Sequence, residues 1–447
     1  MRKDQATMRL TRRAALLAAS SLPLAGCSLY DSWFGAEKAA LPGKRIPVMP
    51  AAPEIAADAG APPVTLPPAV AIPDAAQPGG TPTHSGGHMQ ARPELTEAWS
   101  SSIGSGAGYR ARLTAPPVIA GGRVFTMDSD ARVTAFDAAT GAQIWRATTR
   151  DKDDRSTNVG GGVTVADGIV YAATGRADML AYDAATGQER WRQRLPTPAR
   201  SSPTVADQHI YVATIDDTLV ALNQADGTKL WSHQAPPADT SVLGLPAPLA
   251  TDGLVIAGFS SGELRALRVN AGTNAWGDSL AAARGRVSIA DLASIRGMPA
   301  SIDGRLYAGG LGKLLVALDL RSGRRLWERE VAIGEMPWIA GDWLFVVTID
   351  AVVTAIARLD GRAAWALRLD AWEDMEKRRD AIIWSGPVLA GGRLYLAGSN
   401  GQLVTIDPIS GKRLATRSLA AGAALAPVPA GGALYVLTVD GTLTCFR

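Results

Sequence analysis

One pattern recurs through the last three quarters of the chain: a glycine followed four positions later by a tryptophan. It reads AFDAATGAQIWRA at residues 135–147 and AYDAATGQERWRQ at residues 181–193. The pairs are Gly141/Trp145, Gly187/Trp191, Gly227/Trp231, Gly272/Trp276, Gly323/Trp327 and Gly361/Trp365, and a seventh copy keeps Gly411 but has Ala415 in the tryptophan position. Repeats of about 40–50 residues belong to solenoids and propellers. Each copy reads as a β-hairpin: an alternating run such as RVTAF, an Asp-led turn closed by the glycine, and a returning strand that carries the tryptophan.

A second turn falls between the first. AGGRVF, ADGIVY, ADQHIY, TDGLVI, IDGRLY, AGDWLF, AGGRLY and AGGALY each place a tight turn before an aliphatic–aromatic run. Their centres, from Gly122 to Gly432, lie 46, 40, 45, 51, 38, 50 and 40 residues apart. Two turns per repeat mean four strands per repeat, which is one propeller blade. The counts differ, eight of these turns against seven of the first, so the last blade lacks an outer strand. LTEAWSSS (95–102) carries Trp99 with no hairpin before it, and the expectation is that it completes that blade. The reading is all-β: an eight-bladed propeller of four-stranded antiparallel blades over residues 95–447, closed by its N-terminal strand. The tryptophans are expected to cover the gaps between blades.

The N-terminus reads as an address. Residues 1–26 form a signal: a basic start, the apolar run AALLAASSLPLA, then LAGC. The last four residues resemble a bacterial lipobox, which would make Cys27 the lipidated first residue of the mature chain. Ser28 after it favours the outer membrane. Arg12–Arg13 leaves the export route open between twin-arginine and general secretory. Residues 27–94, with eleven prolines between Leu41 and Thr83, read as an extended, flexible tether. His84 and His88 in HSGGH are either a weak metal site or solvated linker.

Formal charge is +3. Arg2, Lys3, Arg9, Arg12 and Arg13 less Asp4 account for +4 of it, so the mature chain is near −1. That balance supplies no electrostatic argument for nucleic acid. Beyond Cys27 the only cysteine is Cys445, expected to be a buried apolar filler without a disulfide. No catalytic arrangement stands out. His209 and His233 sit at repeat positions within strands. Asp128, Asp130, Asp216 and Asp350 fall in turns. STNVGGGVT (156–164) lacks the lysine and helix of a phosphate cradle.

Two connections break the repeat. TSVLGLPAPLA (240–250) sets Leu243 and Leu245 where polar residues are usual, and ARGRVSIADLASIRGMP (283–299) lengthens the next one. Each is either a partner surface or locally buried. DAWEDMEKRRDAIIW (370–384) reads as a short charged helical turn.

The ALDxxTGxxxW repeat resembles the pyrroloquinoline-quinone type of propeller repeat. With the lipobox and eight blades, the chain is similar to the BamB family of outer-membrane β-barrel assembly lipoproteins. That resemblance implies a non-catalytic scaffold with no cofactor or metal, lipid-anchored on the periplasmic side of the outer membrane. It implies binding to the POTRA domains of a BamA-like partner and to other assembly subunits, and help in inserting outer-membrane proteins. It places the partner contact on Leu243 and Leu245, although Pro246 stands where the family has arginine, and on acidic residues of the next connection, where Asp291 is accompanied by Ser294 and Arg296. The alternatives are another periplasmic binding propeller or a quinone-dependent dehydrogenase. The latter implies adjacent cysteines beneath the quinone and acidic calcium ligands, and this sequence has no adjacent cysteine pair.

Overall fold

The computed structural model describes residues 55–109, 111–150, 156–238, 244–281, 294–423 and 425–447. Among them are eight four-stranded antiparallel sheets, one two-stranded hairpin and no helix. Blade 1 is Val118–Ala120, Arg123–Met127, Arg132–Asp137 and Gln143–Thr148, in that order from channel to rim. Blades 2 to 7 repeat this over 161–194, 204–234, 249–279, 300–329, 338–368 and 384–418. Blade 8 takes three strands from 428–446 and its outer strand, Glu97–Ser102, from the other end of the ring. Trp99 pairs with Cys445 across that junction. The ring therefore closes as the spare tryptophan implied, and Cys445 is a buried free thiol.

Burial follows strand position. The third strand, RVTAFD in blade 1, is buried on both faces because blades stack on both sides of it. The outer strand QIWRAT buries only its tryptophan. Ala135 sits opposite Trp145, and the register shifts immediately after it. The same alanine–tryptophan pairing and the same bulge recur in the next five blades. A small residue there leaves room for the indole to lean toward the neighbouring blade.

The glycine and tryptophan of one repeat copy serve opposite neighbours. A Cβ on Gly187 would lie 2.6 Å from the Trp145 ring of the preceding blade, and Gly323 stands in the same relation to Trp276. Both glycines also have left-handed backbone, with φ of +73° and +69°. Each indole donates to the carbonyl at the start of the same turn: Trp145 Nε1 to Ala184 O at 3.0 Å, Trp276 Nε1 to Leu320 O at 2.8 Å. Each turn is thus a socket for the tryptophan of the blade before it. The missing tryptophan at Ala415 follows directly. Blade 8 draws its last two strands from opposite chain ends, has no turn between them, and offers no socket. Arg417 bridges the gap instead, over the Phe446 ring at 5.2 Å and onto the Leu95 carbonyl at 2.7 Å.

Three expectations change. The compact unit that holds the ring starts at Ile55, not at residue 95, so the part of the expected tether from 55 to 94 is packed onto the ring. Residues 27–54, with Cys27 and the signal before it, lie outside the described residues. HSGGH is not solvated linker: His84 is fully buried and His88 nearly so, and each bonds carbonyls or amides. Finally, 370–384 contains a β-hairpin, Trp372–Asp374 with Arg379–Ala381, in place of a helical turn. Asp374 Oδ1 accepts the amides of Glu376 and Lys377 and so folds the turn.

Residues 72–89 make one complete circuit of the inner strands. The Ile72 carbonyl accepts from Gly431 of blade 8, Ala75 exchanges both backbone bonds with Ile119 of blade 1, and the Ala76 carbonyl accepts from Val165 of blade 2. The Gln77 side-chain amide bonds both backbone groups of Val205 in blade 3. Pro82 and Thr83 accept from Ala250 and Ser301 in blades 4 and 5, Gly87 donates to Ile339 in blade 6, and Met89 accepts from Gly391 in blade 7. The loop then pairs with its own beginning, Val70 against Met89. An inner strand has an edge facing the channel, and unpaired edge amides need partners. This strap supplies mostly carbonyls, which proline retains although it has no N–H to give.

Candidate partner-binding face

Antiparallel strands sort the turns onto two faces. First–second and third–fourth turns lie together, as the bond from Ala138 N to Gly122 O shows. Second–third turns lie with the blade-to-blade connections, as Ile215 N to Pro198 O shows. The strap runs along the first face. The second face carries the irregular connections.

Between them is a cavity of about 700 Å³ along the channel. Strap residues including Ile72, Ala75 and Gly79 line one end. Leu245, Arg296, Leu311, Glu335, Met336 and Ile383 line the part that belongs to the second face. Leu245 is 8% exposed, and its amide donates to the Arg200 carbonyl at 3.3 Å. It thus packs at the channel wall, locally buried yet facing the cavity. Leu243 and Asp291 lie outside the described residues. Ser294 is buried, and Arg296 reaches the cavity that Leu245 lines.

Glu335 went unnoticed in the sequence because nothing local marks it. Burial pushes its carboxyl above the ordinary range, against the opposing pull of Arg296 and long contacts from Gly386 N and Ser385 Oγ, each 3.5 Å. Around the opening, Tyr109, Ile215, Ile349, Ile383 and Val439 are exposed apolar side chains, Tyr109 at 92%. Three of them share a signal that sequence reading could have used. The second–third turn reads TID or TVD in blades 3, 6 and 8, with Ile215, Ile349 and Val439 at its exposed second position, where other blades have Ser, Gly, Leu or Asn.

His233, Asp128 and Asp216 have structural roles. The His233 ring lies tilted against Phe259, their centres 6.4 Å apart. Asp128 accepts the amides of Asp130, Arg132 and Ser105, pinning the segment after the closing strand. Asp216 accepts from Thr197 and Thr214. The two cysteines are 418 positions apart (445 − 27), and among the described residues no three His, Cys, Asp or Glu side chains group as a metal site.

Fold and channel together define an eight-bladed propeller of the pyrroloquinoline-quinone repeat type with a cavity along its channel. The family model described as outer membrane protein assembly factor BamB matches residues 129–367 and 368–447. The Escherichia coli K12 protein of that name is 32% identical over 354 residues, covering 78% of this chain and 88% of that one. The crystal structure of BamB from Moraxella catarrhalis superposes with a TM-score of 0.68 at 21% identity, covering 79% of this chain and all of that one. A quinohemoprotein alcohol dehydrogenase from Comamonas testosteroni shares the fold at a TM-score of 0.61 and 15% identity, covering 84% of this chain and 80% of that one. The chain belongs to the BamB family.

Proposed function

We propose that this protein is a non-catalytic scaffold of outer-membrane protein assembly, anchored through a lipid on Cys27 to the periplasmic side of the outer membrane. Its partner is a BamA-like protein, engaged through POTRA domains on the face that carries the blade connections. Membership of the BamB family carries the reading. The apolar rim around Ile349 and Ile383 supports the choice of face, because the strap occupies the other. Leu243, Leu245 and Asp291 belong to the contact, with Leu245 reached through the channel mouth.

A purified POTRA-domain binding assay tests this. Interface anchors often account for about 2 kcal/mol each, close to thirtyfold in Kd. Leu243→Ala with Leu245→Ala should weaken binding by about that factor or more. Because Leu245 is buried, melting is measured alongside. Unchanged binding with an unchanged melt removes both leucines from the contact. Ile349→Ser and Ile383→Ser, both at exposed positions, should weaken binding without lowering the melt, and normal binding by that pair rejects the face.

A further inference from the structure

The strap is held by two imidazoles, of which the fully buried His84 must stay neutral. His88 Nδ1 donates to the Pro67 carbonyl at 2.8 Å, and its Nε2 accepts from the Gly392 amide at 3.0 Å. Only the neutral Nδ1–H form can do both. On protonation Nε2 becomes a donor pointed at another donor. His84 Nδ1 donates to the Pro299 carbonyl at 2.8 Å, while its Nε2 is buried without a partner. Protonation there would place a charge and an unsatisfied N–H in a site sealed from water, a costly combination. His84 is enclosed by the strap's own turn, since a Cβ on Gly79 would lie 2.7 Å from its ring.

The two rings lie on the strap's return half. His84 ties it to blade 5, and His88 ties it to blade 7 and to its own entry at Pro67. No carboxylate among the described residues bonds either ring. The charged side chain on the turn that faces His88 is Arg393, which donates to the Gly392 carbonyl at 3.3 Å. Asp74, the strap's acid beside blade 1, is engaged with the Gly121 amide. Nothing at either ring therefore compensates an imidazolium. Elsewhere the strap is joined to the blades by one or two hydrogen bonds per residue, two at Ala75 and Gln77, and its prolines give no amide of their own.

We propose that residues 72–92 are an acid-released plug: protonation of the buried His84 frees the strap from the inner strands and opens the channel at the face it covers. The relatives' matched region leaves out about a fifth of this chain, since the E. coli protein covers 78% of it. The inference goes beyond the scaffold reading and does not depend on it.

The sign is fixed by the direction of the shift. Burial lowers the His84 pKa from 6.5 to about 4, with the Pro299 bond opposing. A histidine whose pKa is depressed when docked favours docking fully above 6.5 and progressively less as pH falls toward 4. From pH 7 to pH 5, His84 alone weakens docking about twentyfold.

Hydrogen exchange on the full chain at pH 7 and pH 5, corrected for intrinsic exchange, reads this directly. Peptides covering 72–92 should lose protection about twentyfold or more, while peptides covering 204–223 of blade 3 keep theirs. Equal protection of the strap at both pH values overturns the proposal, and so does equal loss in strap and blade. In His84→Asn/His88→Gln neither side chain titrates, and the pH dependence should vanish. A loss as large as in the unaltered chain overturns it. If that variant leaves the strap undocked at pH 7, imidazole titration of the unaltered chain decides, because only four histidines need assignment. A His84 ring that titrates near 6.5 with the strap still protected refutes the plug.

Discussion

Replacing Trp276 and Gly323, alone and together, measures the socket that joins blade 4 to blade 5. Trp276 is 7% exposed and donates to the Leu320 carbonyl at 2.8 Å. Burying an indole removes about 150–250 Å² from water, and at about 25 cal/mol per Å² this is roughly 4–6 kcal/mol as an upper bound. Trp276→Ala should therefore cost about 3–5 kcal/mol. Gly323→Ala has two penalties. Its φ of +69° costs an alanine about 1–2 kcal/mol. The new methyl would lie 2.6 Å from the indole, and overpacking of that kind costs about 1–3 kcal/mol. In the Trp276→Ala background the second penalty disappears, so Gly323→Ala should cost only the backbone part. The coupling between the two sites is then about 1–3 kcal/mol, well above the scatter of about 0.5 kcal/mol for independent sites. Urea unfolding followed by far-ultraviolet circular dichroism avoids the signal lost with the tryptophan. An equal cost of Gly323→Ala in both backgrounds would refute the socket.

Trp231→Phe should cost about 1 kcal/mol more than Trp191→Phe, because Trp231 Nε1 donates to Val269 O at 2.7 Å while Trp191 Nε1 is buried without a partner; chemical denaturation of the two variants compares them. Glu335→Gln should raise the Tm at pH 8 and lose the gain at pH 4, since a carboxyl held above its ordinary 4.5 destabilises the fold only once ionised; scanning calorimetry at both pH values is the check, and no gain at pH 8 counts against the burial argument. Cys27→Ala should abolish fatty-acid labelling and release the protein from the membrane fraction; unchanged labelling rejects the lipobox reading. Deleting Glu97–Ser102 should lower the Tm far more than removing the hairpin 372–381, because the strand closes the ring while the hairpin's returning arm is exposed.

The ring was legible because its information is local and repeated. A turn that needs glycine and a strand that needs one large side chain leave the same mark in every blade, and a count of the marks gave both the blade number and the split last blade. The direction of the glycine–tryptophan contact was not legible. Within one copy the two residues are four apart and look like partners, but each belongs to a different interface. Ala415 showed the same limit, reading as decay of the repeat when it marks a blade with no turn to receive a tryptophan.

The strap and the site were hidden for a common reason: their partners are far away in sequence. A proline-rich segment with no periodicity reads as solvated because it cannot pair with itself. Here it bonds to all eight blades, mostly as an acceptor of amides at their inner edges, from Ile119 to Gly431. Proline's missing donor, the usual argument against ordered pairing, is no handicap when the acceptor is what the edge lacks. The same logic separates Leu245 from Glu335. An apolar residue in a connection is visible as a break in pattern, as Leu245 is. A glutamate there is the expected residue, and only the surrounding apolar channel, assembled from several blades and the strap, gives it a shifted carboxyl. What distinguishes this chain's channel from a ring open at both ends is therefore written in the segment that sequence reasoning alone assigned to solvent.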